Sequence, residues 1–407
     1  MKSFDLLSTI VFFARYRKKL FLRKKNVQSH SFDIPLASPH LAGNEWKYIQ
    51  DCLETNWITS VGKYIPLFED KVAEYTQSKY AVAVSSGTAA LHLALLAVGV
   101  ERNDVVLLPN LSFVASVNAI HYCGAEPLLV DVTQDTWQLD AALLENFLEK
   151  ECTVEENNCF VKSSKKRIKA ILPVHILGNV GEMQKILTLA QKYHLAVVED
   201  AAESLGSFYK NTHTGCLSDV GIISFNGNKV VTTGGGGMIL TQNEKIAQKV
   251  RHWANQSKAD SHEYYHDEVG YNYRLINLLA AIGLAQMEQL EHFLQQKEYI
   301  HTFYQQKLSE KLIFQKILND VKPNYWLTTV LSSRSKNIQE SLEKKGVQTR
   351  KLWYPLNRLP MYQNATYVTE NDYTWQIYEQ SVSLPSGVGL KEEHLKKIVE
   401  TILEAVK

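Results

Sequence analysis

Ser224 to Gly237 reads SFNGNKVVTTGGGG, a lone lysine between an apolar stretch, Val220 to Phe225, and four successive glycines. The apolar stretch is short and bounded by polar turn residues, which suits a buried strand. Glycine loses more conformational freedom on folding than any other residue, so a run of four needs a reason, and close approach of backbone to something bulky supplies one. Lys229 therefore reads as a lysine inside a site rather than a solvated surface charge. Well upstream, Asp200 ends a second apolar stretch, Leu195 to Glu199, and opens Ala201-Ala202-Glu203.

A lysine able to form a Schiff base and an acid able to face a pyridinium nitrogen are the pair that pyridoxal phosphate (PLP) chemistry requires. On these residues, VVEDAAESLGS and SFNGNKVVTTGGGG resemble the PLP-dependent sugar aminotransferases of the DegT/StrS family. Within the family they look most like the LegC-type branch, which aminates 4-keto nucleotide sugars. The likeness runs from about Ile34 to about Pro385. It implies the PLP-dependent transferase fold type I (aspartate aminotransferase-like), an α/β architecture with a large, mostly parallel sheet domain and a smaller C-terminal α/β domain.

The rest of the chain agrees without help from the likeness. A strand at Tyr80 to Val84 runs through Ser85-Ser86-Gly87-Thr88 into a helix from Ala89. Such a joint gathers free N–H groups and the positive end of a helix dipole, an anion site suited to a phosphate. Plain N-capping accounts for Ser86 and Thr88 equally well. Strands follow at Val105 to Leu108, Leu128 to Asp131 and Ala170 to Val174, with helices at Leu139 to Glu149 and Glu182 to Tyr193. This alternation predicts a parallel sheet with helices on both faces and a ligand site beyond the carboxyl ends of the strands. The Ser86, Asp200 and Lys229 motifs all fall at those ends. His175, at another strand end, reads as hydrogen-bonded structure more than catalysis, and Glu151 to Lys166 as a polar surface connection.

Beyond the glycines, a strand at Met238 to Thr241 and a helix at Lys245 to Trp253 lead to His262 and His266, whose spacing lacks a metal-ligand pattern. From Asn277 apolar residues recur at helical spacing towards Tyr304, which predicts one long bridging helix. The last stretch carries a strand at Trp326 to Leu331, a helix at Asn337 to Lys345, and Arg350, Trp353 and Tyr354, which either border a substrate pocket or pack. The expected organisation is an N-terminal arm at 1–33, a PLP-binding domain at 34–290 and a small domain at 291–407.

The resemblance also implies roles. Lys229 holds the cofactor and then moves a proton as the base; Asp200 keeps the pyridine nitrogen protonated. Ser86, Gly87, Thr88 and Ser224 hold the phosphate, and Glu203 belongs with them in the cofactor site. Phe113 stacks on the ring, although a Phe there suits core packing as well. Asn272 reaches the cofactor phosphate of a partner chain in a homodimer with shared active sites. Asn56 to Gly62 lines the entrance, and Gly62 and Lys63 match the pattern of the LegC-type branch. The implied substrates are glutamate and a nucleotide sugar for surface polysaccharide, with a UDP-linked 4-keto-6-deoxy-N-acetylhexosamine ahead of GDP-linked 4-keto-6-deoxymannose. A catalytically silent scaffold protein is the reading from another class.

Bulk properties narrow the field. A net charge of +1 argues against a general nucleic-acid binder. Five cysteines, odd in number and without a CxxC pair, suit reduced thiols and a cytoplasmic location better than a disulfide framework or a zinc site. At the N-terminus the apolar Leu6 to Ala14 is too short to span a bilayer. The basic residues that follow it, from Arg15 to Lys25, suit a docked helix or a basic arm, with contact to an anionic membrane surface as the lesser reading.

Overall fold

The computed structural model describes residues 32–407, so the apolar and basic arm, and with it the membrane-surface reading, lies outside the described residues. Three apolar segments, Val105–Pro109, Val220–Ser224 and Gly237–Thr241, are buried along their whole length. Strands of that kind need helices on both faces. The large sheet takes, in chain order, β1 (Tyr80–Val84), β2 (Val105–Pro109), β3 (Glu126–Val130), β4 (Cys152–Glu155), β5 (Asn158–Val161), β6 (Arg167–Ile171), β7 (Ala196–Asp200), β8 (Val220–Ser224), β9 (Gly237–Thr241) and β10 (Thr366–Val368). Their spatial order is β1-β9-β8-β7-β6-β2-β3-β10, with β4 and β5 appended to β6. From β8 to β10 all neighbours are parallel. Strand β9, between β1 and β8, runs antiparallel to both of its neighbours, and so does β5, between β4 and β6.

Helices α1 (Glu45–Glu54) and α2 (Tyr64–Thr76) precede the sheet, and α3 (Gly87–Ala97), α4 (Val114–Tyr122), α5 (Ala141–Glu151) and α6 (Met183–Lys192) lie in its crossovers. Eight of the eleven residues of α3 are buried, which makes it the central helix. Helix α7 (Glu244–Ala254) follows β9.

The expected long helix is two, α8 (Asn277–Met287) and α9 (Leu290–Leu308). At the break, Glu288 accepts hydrogen bonds from Asn44 and Tyr48, and Gln286 Nε2 donates to the His40 carbonyl. Tertiary bonds to the 40–48 segment thus override a continuous helical pattern. The stretch read as a surface connection is the β4–β5 hairpin, with Cys152, Cys159 and Val161 turned into the core. The strand expected from Trp326 shortens to Thr329–Leu331 because side chains capture the earlier N–H groups: Asn324 takes that of Trp326 and Ser386 that of Thr328.

In the smaller lobe, Ile313–Phe314, Thr329–Leu331 and Ser381–Ser383 form an antiparallel sheet. Helices α9, α10 (Ser335–Lys344) and α12 (Glu392–Ala405) contribute Ile300, Leu342 and Ile398 to its core, while α11 (Tyr373–Gln380) lies between. Strand β10, far beyond residue 290, nevertheless belongs to the large sheet. All five cysteines are free thiols, and no helix among the described residues is long and apolar enough to cross a membrane.

Candidate active site

Asp200 is the last residue of β7 and is buried. Its Oδ2 accepts a 2.6 Å hydrogen bond from Ser116 Oγ and its Oδ1 a 3.2 Å bond from the Ala202 N–H. Burial pushes this carboxyl above the ordinary aspartate range, and those two bonds and the charge of Lys229 only partly offset it. The sequence reading missed Ser116. A serine one turn into an otherwise apolar helix carries no local signal, and only the fold brings it to Asp200.

The turn after β1 meets the same spot. Ser86 caps α3, its Oγ accepting from the Ala89 N–H at 3.1 Å, so capping is real. The N–H groups of Gly87 and Thr88, first in the helix, have no intrahelical acceptor and open on the cavity. Ser224, the last residue of β8, packs against Gly87, where a Cβ would stand 2.9 Å from the serine Cβ. The glycine run has divided uses. Gly234 turns with φ of +82°, Gly237 lies against the Ser86 carbonyl where no side chain fits, and Gly235 faces open space in the cavity wall.

Lys229 sits in the turn after β8 with its side chain 13% exposed. Its Nζ is 3.3 Å from Glu203 Oε1 and 4.2 Å from the centre of the Trp326 ring. Glu203 is buried, its other oxygen accepting from the Leu177 N–H, and burial raises its carboxyl while the lysine opposes that rise. Phe113, expected either to stack on a ring or to pack in the core, is 53% exposed and lines the cavity, which removes the core alternative.

These groups surround one cavity of about 310 Å³. The small lobe supplies its other wall with Trp326, Arg350 and Trp353. The two indoles stack at 6.4 Å, and the Arg350 guanidinium lies 5.8 Å from each. Burial lowers the Arg350 pKa and the charge of Glu203 opposes it; among the described residues no carboxylate bonds its guanidinium. Tyr354 turns away and packs on Trp375 and Tyr378. His175 is buried, 3.0 Å from Glu199, as structure and not as a cavity residue.

Two expectations are not met within a single chain. Asn272 is exposed and bridges to Asn255 outside the cavity. The 56–62 loop does not line the cavity either; Asn277 holds it through the Thr59 and Trp57 carbonyls, leaving Trp57, Ile58 and Val61 exposed.

The residues fit a phosphorylated pyridine aldehyde. A buried carboxylate without a bonded cation suits a protonated ring nitrogen, an exposed Phe face suits a ring, and unpaired helix N–H groups suit a phosphate. Comparison with known proteins agrees. The DegT/DnrJ/EryC1/StrS aminotransferase family model matches residues 39–403. The chain is 38% identical over 376 residues to the GDP-perosamine synthase of Escherichia coli O157:H7, covering 91% of this chain and 98% of that one. The GDP-perosamine synthase of Caulobacter vibrioides is 36% identical over 381 residues, with 91% and 97% covered. Among solved structures, the candidate sugar aminotransferase Spr1654 of Streptococcus pneumoniae, in its PMP form, superimposes with a TM-score of 0.83 at 25% identity, covering 92% and 98% of the two chains. This chain belongs to the DegT/DnrJ/EryC1/StrS aminotransferase family, with pyridoxal phosphate as its cofactor.

Proposed function

We propose that the enzyme transfers an amino group from glutamate to C4 of GDP-linked 4-keto-6-deoxymannose. The observation that carries this reading is the near full-length likeness to two GDP-perosamine synthases over a chain that brings Lys229 and Asp200 into one cavity. The relatives' names thereby weigh for the GDP-linked sugar over the UDP-linked one expected from the sequence. The UDP-linked 4-keto-6-deoxy-N-acetylhexosamine stays as the second reading, on the likeness of SVGKY, SFNGNK, HDEVGYNYR and NRLPMY to the LegC-type branch.

The chain's own groups divide the work. Lys229 Nζ, 3.3 Å from Glu203 and on the cavity wall, would be the base that takes the proton from the donor Cα. Asp200, with Ser116 and the Ala202 N–H behind it, would keep the ring nitrogen protonated. The bound cofactor supplies the electron sink for charge developing at the donor Cα. Gly87, Thr88 and Ser224 would hold its phosphate, Glu203 would complete the cofactor site beside the lysine, and Phe113 would cover the ring. Arg350, a cation on the cavity wall, is placed to bind a donor carboxylate. A second copy of the chain brings Asn272 to the site, and the exposed Trp57, Ile58 and Val61 supply apolar surface for that contact.

The test is the visible spectrum of the protein with PLP, before and after glutamate, beside Lys229→Ala. Glutamate is expected to bleach the lysine-dependent band, and GDP-4-keto-6-deoxymannose to restore it at least tenfold more efficiently than the UDP-linked sugar. Preferential restoration by the UDP sugar overturns the GDP assignment. A band that glutamate leaves unchanged favours the silent scaffold.

A further inference from the structure

Lys297, in the middle of α9, is 4% exposed and has no carboxylate partner among the described residues. Its Nζ donates to two backbone carbonyls of the small lobe, Trp326 at 2.9 Å and Ser386 at 3.0 Å. An ammonium has three N–H donors, so one finds no acceptor among the described residues, whereas a neutral amine has the two that these carbonyls take. Burial accordingly pushes this lysine down to about 7. A buried lysine without a counter-charge is costly to keep, and its bonds show what it holds.

It holds Trp326. That residue is buried and gripped at three points: its N–H by Asn324 Oδ1 at 2.9 Å, its C=O by Lys297, and its Nε1–H by the Asn228 carbonyl at 2.7 Å. Asn228 immediately precedes Lys229, whose Nζ lies over the same indole at 4.2 Å. The indole is thus both the floor beneath the reactive amine and a clasp on the peptide that carries it. Asn324 also donates to the carbonyl of Glu203, the residue whose Oε1 meets Lys229 Nζ.

We propose that Lys297 is a positioning residue for Lys229, fixing the Trp326 indole that supports the lysine and its loop. The inference rests on Lys229 as the reactive amine but not on any choice of sugar. The chain of contacts predicts that losing the Lys297 donors frees the indole and changes how the Lys229 amine meets its reagents, since a misplacement of about 1 Å is enough to alter rates strongly.

The experiment uses full-length, cofactor-free protein and an N-hydroxysuccinimide ester as probe, with labelling of Lys229 and of exposed Lys245 read by peptide mass spectrometry. Lys297→Met, which keeps the stem and loses the donors, is expected to label at Lys229 at least about fivefold faster than the parent, with Lys245 unchanged. Lys297→Arg, which keeps donors for both carbonyls, is expected to return the rate to within about twofold of the parent. Trp326→Phe, which keeps a ring and loses the Nε1–H, is expected to resemble Lys297→Met. With PLP bound, single-turnover bleaching of the band by saturating glutamate is expected to be about tenfold slower in Lys297→Met, with little change in the half-saturating glutamate concentration. A folded Lys297→Met that labels like the parent overturns the proposal, as does equal labelling of the Met and Arg variants. Should Lys297→Met not fold, Trp326→Phe decides, and parental labelling there overturns the proposal. Because no sugar enters the labelling arm, its failure is separable from a wrong substrate assignment.

Discussion

Asp200 and Trp326 line one cavity, one from the large sheet and one from the small lobe, and are held there by different means. Asp200 stands at a strand end, its backbone N–H bonded to the Pro173 carbonyl and its own carbonyl to the His175 N–H, so the central sheet keeps it in place. Trp326 stands on irregular chain and depends on Asn324, Lys297 and Asn228, two of them through side chains. Changes on the first wall should remove chemistry and leave the scaffold intact. Changes on the second should loosen the site without removing a reacting group.

The sharpest break comes at Lys229. Lys229→Ala is expected to lower kcat by at least about 10⁴ while shifting stability by less than about 1 kcal/mol, read by a glutamate-dependent turnover assay and by urea unfolding. Asp200→Asn is expected to cost about 10²–10⁴ in kcat; a loss under tenfold would mean that the strand-borne wall is not where the chemistry sits. Ser116→Ala removes a hydrogen bond to a charged group, worth about 1.5–3 kcal/mol. It should push the already raised Asp200 carboxyl higher and move the acidic limb of the pH–rate profile upward.

The second wall has a pH signature. Lys297 is at about 7 in the folded chain against 10.5 ordinarily, so between those values the unfolded chain binds more protons and stability rises with pH. Relative to Lys297→Met, the parent should gain up to about 1.4 kcal/mol per pH unit across that window, measured by urea unfolding at pH 7, 8 and 9. On the same helix, His301 bonds Thr328 and burial holds it at about 4, below that window. The smallest effect belongs outside both walls. Lys71→Ala breaks an exposed pair with Glu74 and should stay within about 0.5 kcal/mol.

The same contrast separates what could be read in the sequence from what could not. Asp200, Lys229 and the Ser86 turn were legible because polar residues interrupt apolar strands there, and a strand end in a parallel sheet is where a site forms. Ser116 and Trp326 were not. Each sits in an apolar context that explains it locally, and its role depends on partners 84 and 98 positions away. Lys297 reads as an ordinary polar residue of a helix until two carbonyls of the small lobe close over it. The break between α8 and α9 was equally hidden, since the helical pattern runs through Glu288 and only its contacts with Asn44 and Tyr48 stop it.

The order of these elements along the chain sets a schedule for synthesis. Chains emerge N-terminus first, and parts that contact distant residues wait for them. Ser86, Asp200 and Lys229 leave the ribosome with the core of the large sheet, whereas Trp326, Arg350 and the sheet strand Thr366–Val368 follow more than 90 residues later. At a synthesis rate of about 5–20 residues per second, the nascent chain carries an open, half-walled lysine site for roughly 5 to 20 seconds. During that interval the lysine site lacks the wall that Trp326, Arg350 and Trp353 later supply.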